Sequence, residues 1–183
     1  MDNKKLIRRI VIASVLFVVG LYLTELSPFS MKAVALTNEG YGVLDMTEYD
    51  ADVFVKMMNA STDISLYWKY YVCDFVFTAV FLNFMIQMVS GFKAPKIKVI
   101  KIVSYVLASI RGLLDIVENS IMLNQIYTFP NVNRKLINAC NDITRIKFHF
   151  MRVWIVCFIL VIVLERVSKR KSDNVPTYMR NQS

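Results

Sequence analysis

Residues 97–127 read IKVIKIVSYVLASIRGLLDIVENSIMLNQIY. The stretch is predominantly apolar and long enough to cross a bilayer as a helix. Near its middle sit Arg111, Asp115, Glu118 and Asn119. A charged side chain at the bilayer centre costs about 2.5–3.5 kcal/mol on insertion scales. At about 100° per residue, positions i, i+4, i+7 and i+8 fall on one helical face. The four side chains therefore form a polar stripe, which is expected to turn away from lipid and into a bundle. This pattern predicts an all-α, four-span transmembrane helical bundle with a buried polar site.

Composition supports a membrane class. Hydrophobic residues make up 56% of the chain, above the roughly 45–50% usual for soluble domains. Charged residues make up only 20%, and they cluster between apolar runs. The net charge of +8 is read as topogenic, because Lys and Arg collect in loops that stay in the cytoplasm. They form no stripe interleaved with aromatics, so nucleic acid is not an expected partner. Three cysteines without a C-x-x-C and one histidine suggest packing thiols and no metal site. No G-x-S-x-G, H-E-x-x-H or nucleotide-binding loop occurs, and no cofactor is expected.

The spans follow from the apolar runs. The first covers about 6–26 and is preceded by Lys4, Lys5, Arg8 and Arg9. Such flanks also describe a signal peptide, with Ala33-Val34-Ala35 as a cleavage pattern. That pattern lies far beyond the apolar run, so an uncleaved helix is the reading adopted. Residues 27–65 are acidic and are expected to form a small extracytoplasmic cap. Within it Asp50 is placed to cap a short helix with Val53, Phe54, Met57 and Met58 on one side. The second span covers about 66–89, with Tyr67, Trp68, Tyr70 and Tyr71 as an aromatic belt. The third covers about 99–127. Residues 129–146 are read as an outer loop, and the fourth span covers about 147–167. A basic stop at Glu165–Lys171 and a disordered cytoplasmic tail over 172–183 complete the chain.

Helix rise of about 1.5 Å per residue then gives depth. Asp74 on span two, Glu118 on span three and Arg152 on span four each fall about 7 Å outward of the midplane. Arg111 and Asp115 lie deeper and are spaced to pair within their helix. His149 lies one turn above Arg152. Intramembrane ionisable residues usually mark substrate, ion or proton sites. The candidate ligand-binding set is Asp74, Arg111, Asp115, Glu118, Asn119, His149 and Arg152.

Leu44-Asp45, Tyr49, Tyr71 with Asp74-Phe75-Val76-Phe77, and Leu114-Asp115-Ile116-Val117-Glu118-Asn119 resemble a group of small, functionally uncharacterised four-helix integral membrane proteins. The D-x-x-E-N portion in the third span is its most specific part. The resemblance implies a four-helix membrane fold and no particular activity.

The functional expectation is binding or handling of a lipid or small amphipathic molecule in an outward-facing polar pocket. Three alternatives use the same residues: an intramembrane enzyme with Glu118 or Asp74 as acid or base, an ion- or proton-conducting or accessory subunit of a homo- or hetero-oligomeric membrane complex, and a purely structural partner protein. The expected location is the cell membrane, multi-pass, with the endoplasmic-reticulum membrane as the alternative.

Overall fold

The computed structural model describes residues 3–26, 49–94 and 97–173. Among these are five helices: α1 (Asn3–Glu25), α2 (Ala51–Ala60), α3 (Ser65–Ser90), α4 (Lys98–Thr128) and α5 (Arg134–Asp173). No strand occurs among the described residues. The part of the cap before Tyr49, the Ala33-Val34-Ala35 pattern, Leu44-Asp45 and the tail from 174 onward lie outside them.

Three helices, over Lys4–Glu25, Ser65–Ser90 and Arg134–Ser168, are long and apolar enough to cross a membrane. This corrects the expectation of four such segments. The predicted third span is a continuous helix of 31 residues, but Lys98, Lys101, Arg111, Asp115 and Glu118 lower its apolarity. The same charges that made the stretch informative remove it from a purely hydrophobic count.

The helices pack in chain order: α1 against α3, α3 against α4, and α4 against α5, with the short α2 lying on α5. Gly91, just after α3, lies beside Leu6 and Ile10 of α1. Glu165 of α5 accepts from the backbone N–H groups of Lys93 and Ala94 at 3.2 and 2.9 Å. The start of α1, the α3–α4 loop and the end of α5 therefore share one end of the bundle. That end carries the basic clusters. The described part of the cap, from Tyr49 through α2, lies at the other.

Local chemistry fixes the helix ends. Asp50 is the N-cap of α2, its carboxylate accepting from Asp52 N and Val53 N at 2.7 and 3.0 Å. That satisfies two of the donors a helix start leaves unpaired. Asn133 plays the same part for α5, accepting from Lys135 N and Leu136 N. Lys101 closes the far end of α3 by donating to the carbonyls of Ser90 and Phe92 at 3.2 and 2.7 Å.

The predicted outer loop over 129–146 is mostly helix, because α5 begins at Arg134. Ile137, Cys140 and Thr144 are buried while Arg134, Lys135, Asn138 and Arg145 are exposed. The spacing i, i+3, i+7 is that of an amphipathic helix, which a low mean hydropathy conceals. The predicted cap helix is present, with Phe54, Met57 and Met58 buried and Val53 exposed. Each fully buried side chain of this size contributes about 1.5–3 kcal/mol. The predicted aromatic belt divides: Trp68 is exposed, while Tyr67, Tyr70 and Tyr71 are buried in the core.

Two apolar clusters result. One, under the cap, joins Phe54, Met57 and Met58 to Tyr67, Tyr71, Met122, Ile126 and Ile137. The other, toward the basic end, joins Phe81, Met85, Val89, Leu107, Ala108 and Trp154. Phe17 of α1 stacks on Phe84 of α3 with ring centroids 4.5 Å apart. Between these clusters lies a layer of a different kind.

Candidate functional site

The layer between the apolar clusters is polar, and each long helix around it follows the same order. On α3, Tyr67, Tyr70 and Tyr71 belong to the cap cluster, Asp74 and Thr78 to the layer, and Phe81, Met85 and Val89 to the basic-end cluster. On α4 the order is Met122 and Ile126, then Asn119, Glu118, Asp115 and Arg111, then Ala108 and Leu107. On α5 it is Ile137 and Cys140, then Thr144 and Lys147, then Trp154.

Lys147 is the central cation. Its Nζ lies 2.7 Å from Asp115 Oδ1 and 2.8 Å from Glu118 Oε2. Arg111 Nη1 lies 2.7 Å from Asp115 Oδ2, one turn away on the same helix. The Arg111 guanidinium also lies 4.2 Å from the centre of the Phe81 ring, within cation–π range. Thr78 donates to Asp115 Oδ2 at 3.3 Å. Glu118 accepts from Thr144 at 2.8 Å and from the Tyr49 hydroxyl at 2.8 Å. Two acids and two bases thus offset much of one another's desolvation cost, as buried ions require.

Asp74 is held differently. Asn119 Nδ2 donates to its Oδ2 at 2.6 Å, and among the described residues no cation pairs with it. The Nε–H of Arg111, also buried, has no acceptor among the described residues. An unfilled buried donor calls for a partner.

These groups enclose a cavity of about 190 Å³. Its walls come from α3 through Tyr70, Tyr71, Asp74, Phe77 and Phe81, from α4 through the polar stripe, and from α5 through Lys147, Phe148 and Met151. Glu25 at the end of α1 and Tyr49 of the cap complete it. Four carboxylates (Glu25, Asp74, Asp115, Glu118) face two cations (Arg111, Lys147), so with all six ionised the lining is net negative.

Five of the seven predicted site residues meet here: Asp74, Arg111, Asp115, Glu118 and Asn119. The other two do not. His149 and Arg152 are exposed, and with Arg145 and Phe148 they line a shallow cleft on the outer flank of α5. The pairing of Glu118 with Arg152 is therefore replaced by Glu118 with Lys147. Depth placed Arg152 near the right layer, but rotation placed it on the wrong face. Thr144, Lys147, Met151 and Trp154 recur at helical spacing and face inward, while Arg145, His149 and Arg152 form a second row facing out. Thr78, Thr144 and the cap residue Tyr49 were also missed as site residues.

Tyr49 is fixed at the layer by its backbone as well. Its N–H donates to Asn141 Oδ1, and Asn141 Nδ2 donates back to its carbonyl. Ala51 N donates to Asn138 Oδ1 at 3.0 Å. Burial first, then the nearby Tyr71 and Glu118, raises the Tyr49 pKa well above the ordinary tyrosine value. The hydroxyl therefore remains a donor to Glu118 through neutral pH.

Comparison with protein-family models, curated proteins and solved structures finds no match for this chain.

Proposed function

We propose that the chain is a four-span integral membrane protein of the cell membrane that binds a small amphipathic molecule by its polar head, in a cavity open toward the cap side. The fourth span is α4. Val99, Val103, Val106, Leu113, Ile116 and Val117 are exposed along it, while Arg111, Asp115, Glu118 and Asn119 are buried. An apolar outer face with an inward polar face is what a lipid-contacting bundle helix requires. The basic end then lies in the cytoplasm and the acidic cap outside.

The observation that carries the ligand reading is the unequal pairing of the carboxylates. Asp115 and Glu118 are paired with Arg111 and Lys147, whereas Asp74 faces the cavity with an amide as its partner. Phe77, Phe81 and Tyr70 supply aromatic walls beside it. A carboxylate next to aromatic faces is complementary to a protonated amine, through charge pairing and cation–π attraction. The cavity is smaller than the roughly 300–1,000 Å³ of sites for drug-sized ligands. It suits a head group, with Phe148 and Met151 as apolar lining beside it.

The test uses the purified full chain in lipid nanodiscs and three small probes: 2-phenylethylamine, 2-phenylethanol and phenylacetate. Selective binding stabilises the folded state and raises the unfolding temperature. The expected result is a shift with the amine alone, lost in Asp74→Asn while that variant keeps its unliganded unfolding temperature within a few degrees. Equal shifts with the alcohol or the acid would remove the cationic preference and leave the pocket. No shift with any probe would overturn the pocket itself.

A further inference from the structure

A second cavity, of about 530 Å³, lies at the basic end, remote from the polar layer. It is lined by Ser90 at the end of α3, by Phe92 and Lys93 of the α3–α4 connection and by Lys98, Lys101 and Tyr105 of α4, among others. We propose that this cleft binds the phosphate of an anionic phospholipid in the leaflet at the basic end of the bundle.

The charged side chains that line it are all basic, with the Glu165 carboxylate set against the backbone of its loop wall. Three lysines line it together with the Ser90 and Tyr105 hydroxyls, and no carboxylate is among its lining residues. A basic pocket between helices on the cytoplasmic side is the arrangement that binds anionic head groups.

The pocket is also preorganised. Lys101 Nζ donates to the Ser90 and Phe92 carbonyls, and Glu165 of α5 holds the backbone N–H groups of Lys93 and Ala94. An ammonium has three donors. Two of those on Lys101 hold the loop, and the third is left for a phosphate oxygen. The ends of α3 and α5 thereby fix the loop against the start of α4, so little ordering cost remains at binding.

The surroundings distinguish a lipid from a free anion. Val99, Ile102, Val103 and Val106 are exposed on α4, at i, i+3, i+4 and i+7. They form an apolar track on one helical face, and Ile102 also lines the cleft. A phosphate seated among the lysines would have its acyl chains on this track. Free phosphate has no use for it.

The experiment measures lipid retention by native mass spectrometry and unfolding temperature on the full chain released from detergent. Phosphatidylglycerol is compared with phosphatidylcholine of the same acyl chains, and inorganic phosphate forms a third arm. The expected result is preferential retention of phosphatidylglycerol, with a raised unfolding temperature. Lys98→Gln should lower that preference roughly fivefold, in line with the contribution of one lysine near an anionic surface. Lys98 is exposed, so its substitution should leave the unfolding temperature in phosphatidylcholine unchanged. Lys4→Gln with Lys5→Gln, on α1, should leave the preference intact. Equal retention of the two lipids by the unaltered chain would overturn the proposal. So would an unchanged preference in Lys98→Gln, or a loss caused instead by the α1 pair. Equal stabilisation by inorganic phosphate would reassign the cleft to free anions.

Discussion

Lys147 Nζ lies 2.8 Å from Glu118 Oε2, and both side chains are shielded from solvent. The same ammonium contacts Asp115 at 2.7 Å, so one cation from α5 holds two acids of α4 a turn apart. One lysine thereby ties α5 to two acids of α4, and the three buried charges offset one another. Removing one partner leaves a buried charge uncompensated, at a cost of about 3–5 kcal/mol. Lys147→Met and Glu118→Gln should each fall near that range in reversible unfolding from detergent. The double variant should cost clearly less than the sum, because the pair shares one interaction. Arg152→Met, on the exposed flank, should stay within about 0.5 kcal/mol. Additive losses at 118 and 147, or a large loss at 152, would contradict this pairing.

Asp115 and Asp74 are held in different ways. Asp115 sits near the centre of α4. In the structure it contacts Arg111, Lys147 and Thr78, which gives it a structural role. Asp115→Asn is accordingly expected to lower stability by about 3–5 kcal/mol, since two buried cations lose part of their counter-charge. Asp74→Asn is expected to be tolerated, because Asn119 can pair with an amide as well as with a carboxylate. Unfolding midpoints of the two variants side by side decide the matter. Equal stability in both would return Asp115 to the ligand-contacting class.

The polar stripe on α4 was legible because a charge in an apolar run is costly enough to need burial, and helical period then says which residues share the face. That Asp74 shares a layer with Asn119 of the stripe follows from rise per residue alone. The facing direction of α5 does not, since Lys147 falls at the boundary of a predicted span, where an apolar run alone sets no rotation. The signal was present in Ile137, Cys140, Thr144 and Lys147, whose spacing continues one face across the supposed loop into the apolar run. Tyr49 was harder to find. Its contact with Glu118 spans 69 residues, and no local pattern in the cap encodes it.

That contact gives a third expectation. The Tyr49 hydroxyl is buried and donates to a carboxylate at 2.8 Å. Hydrogen bonds to charged groups contribute about 1.5–3 kcal/mol. Tyr49→Phe should therefore loosen the cap more than the bundle. Hydrogen exchange should accelerate across Ala51–Ala60 while the amides in the middle of α4 keep their protection. Unchanged exchange in α2 would mean that the backbone bonds to Asn138 and Asn141 hold the cap without the hydroxyl.

Asp50 adds a pH dependence at the same place. The N–H of Val53, and then that of Asp52, hold its carboxyl below the usual aspartate value. A group whose folded pKa is depressed stabilises the folded form above its unfolded pKa, and that contribution is lost as pH falls through the folded value. Protection of α2 should therefore decline as pH is lowered below about 4, the ordinary aspartate range. Asp50→Asn keeps a good N-cap without a titrating charge, so its α2 protection should lack that acid-linked component. An identical decline in both proteins would assign the effect to another carboxyl.

Whether α4 crosses the membrane is the point on which the whole reading turns. Its 31 residues extend about 46 Å at helical rise, more than the roughly 30 Å hydrocarbon core. Its two ends are marked by Lys98 at the basic end of the bundle and Tyr127 at the cap end, both exposed. In a background with Cys73, Cys140 and Cys157 replaced, a thiol at Lys98→Cys should react with a membrane-impermeant maleimide only after the membrane is opened. A thiol at Tyr127→Cys should react in intact cells. The alternative is that the bundle, in which α4 packs alongside both α3 and α5, does not cross the membrane with α4 as a span. Both thiols would then label from the same side, and the buried polar layer would have to be an aqueous cleft rather than the centre of a four-span bundle.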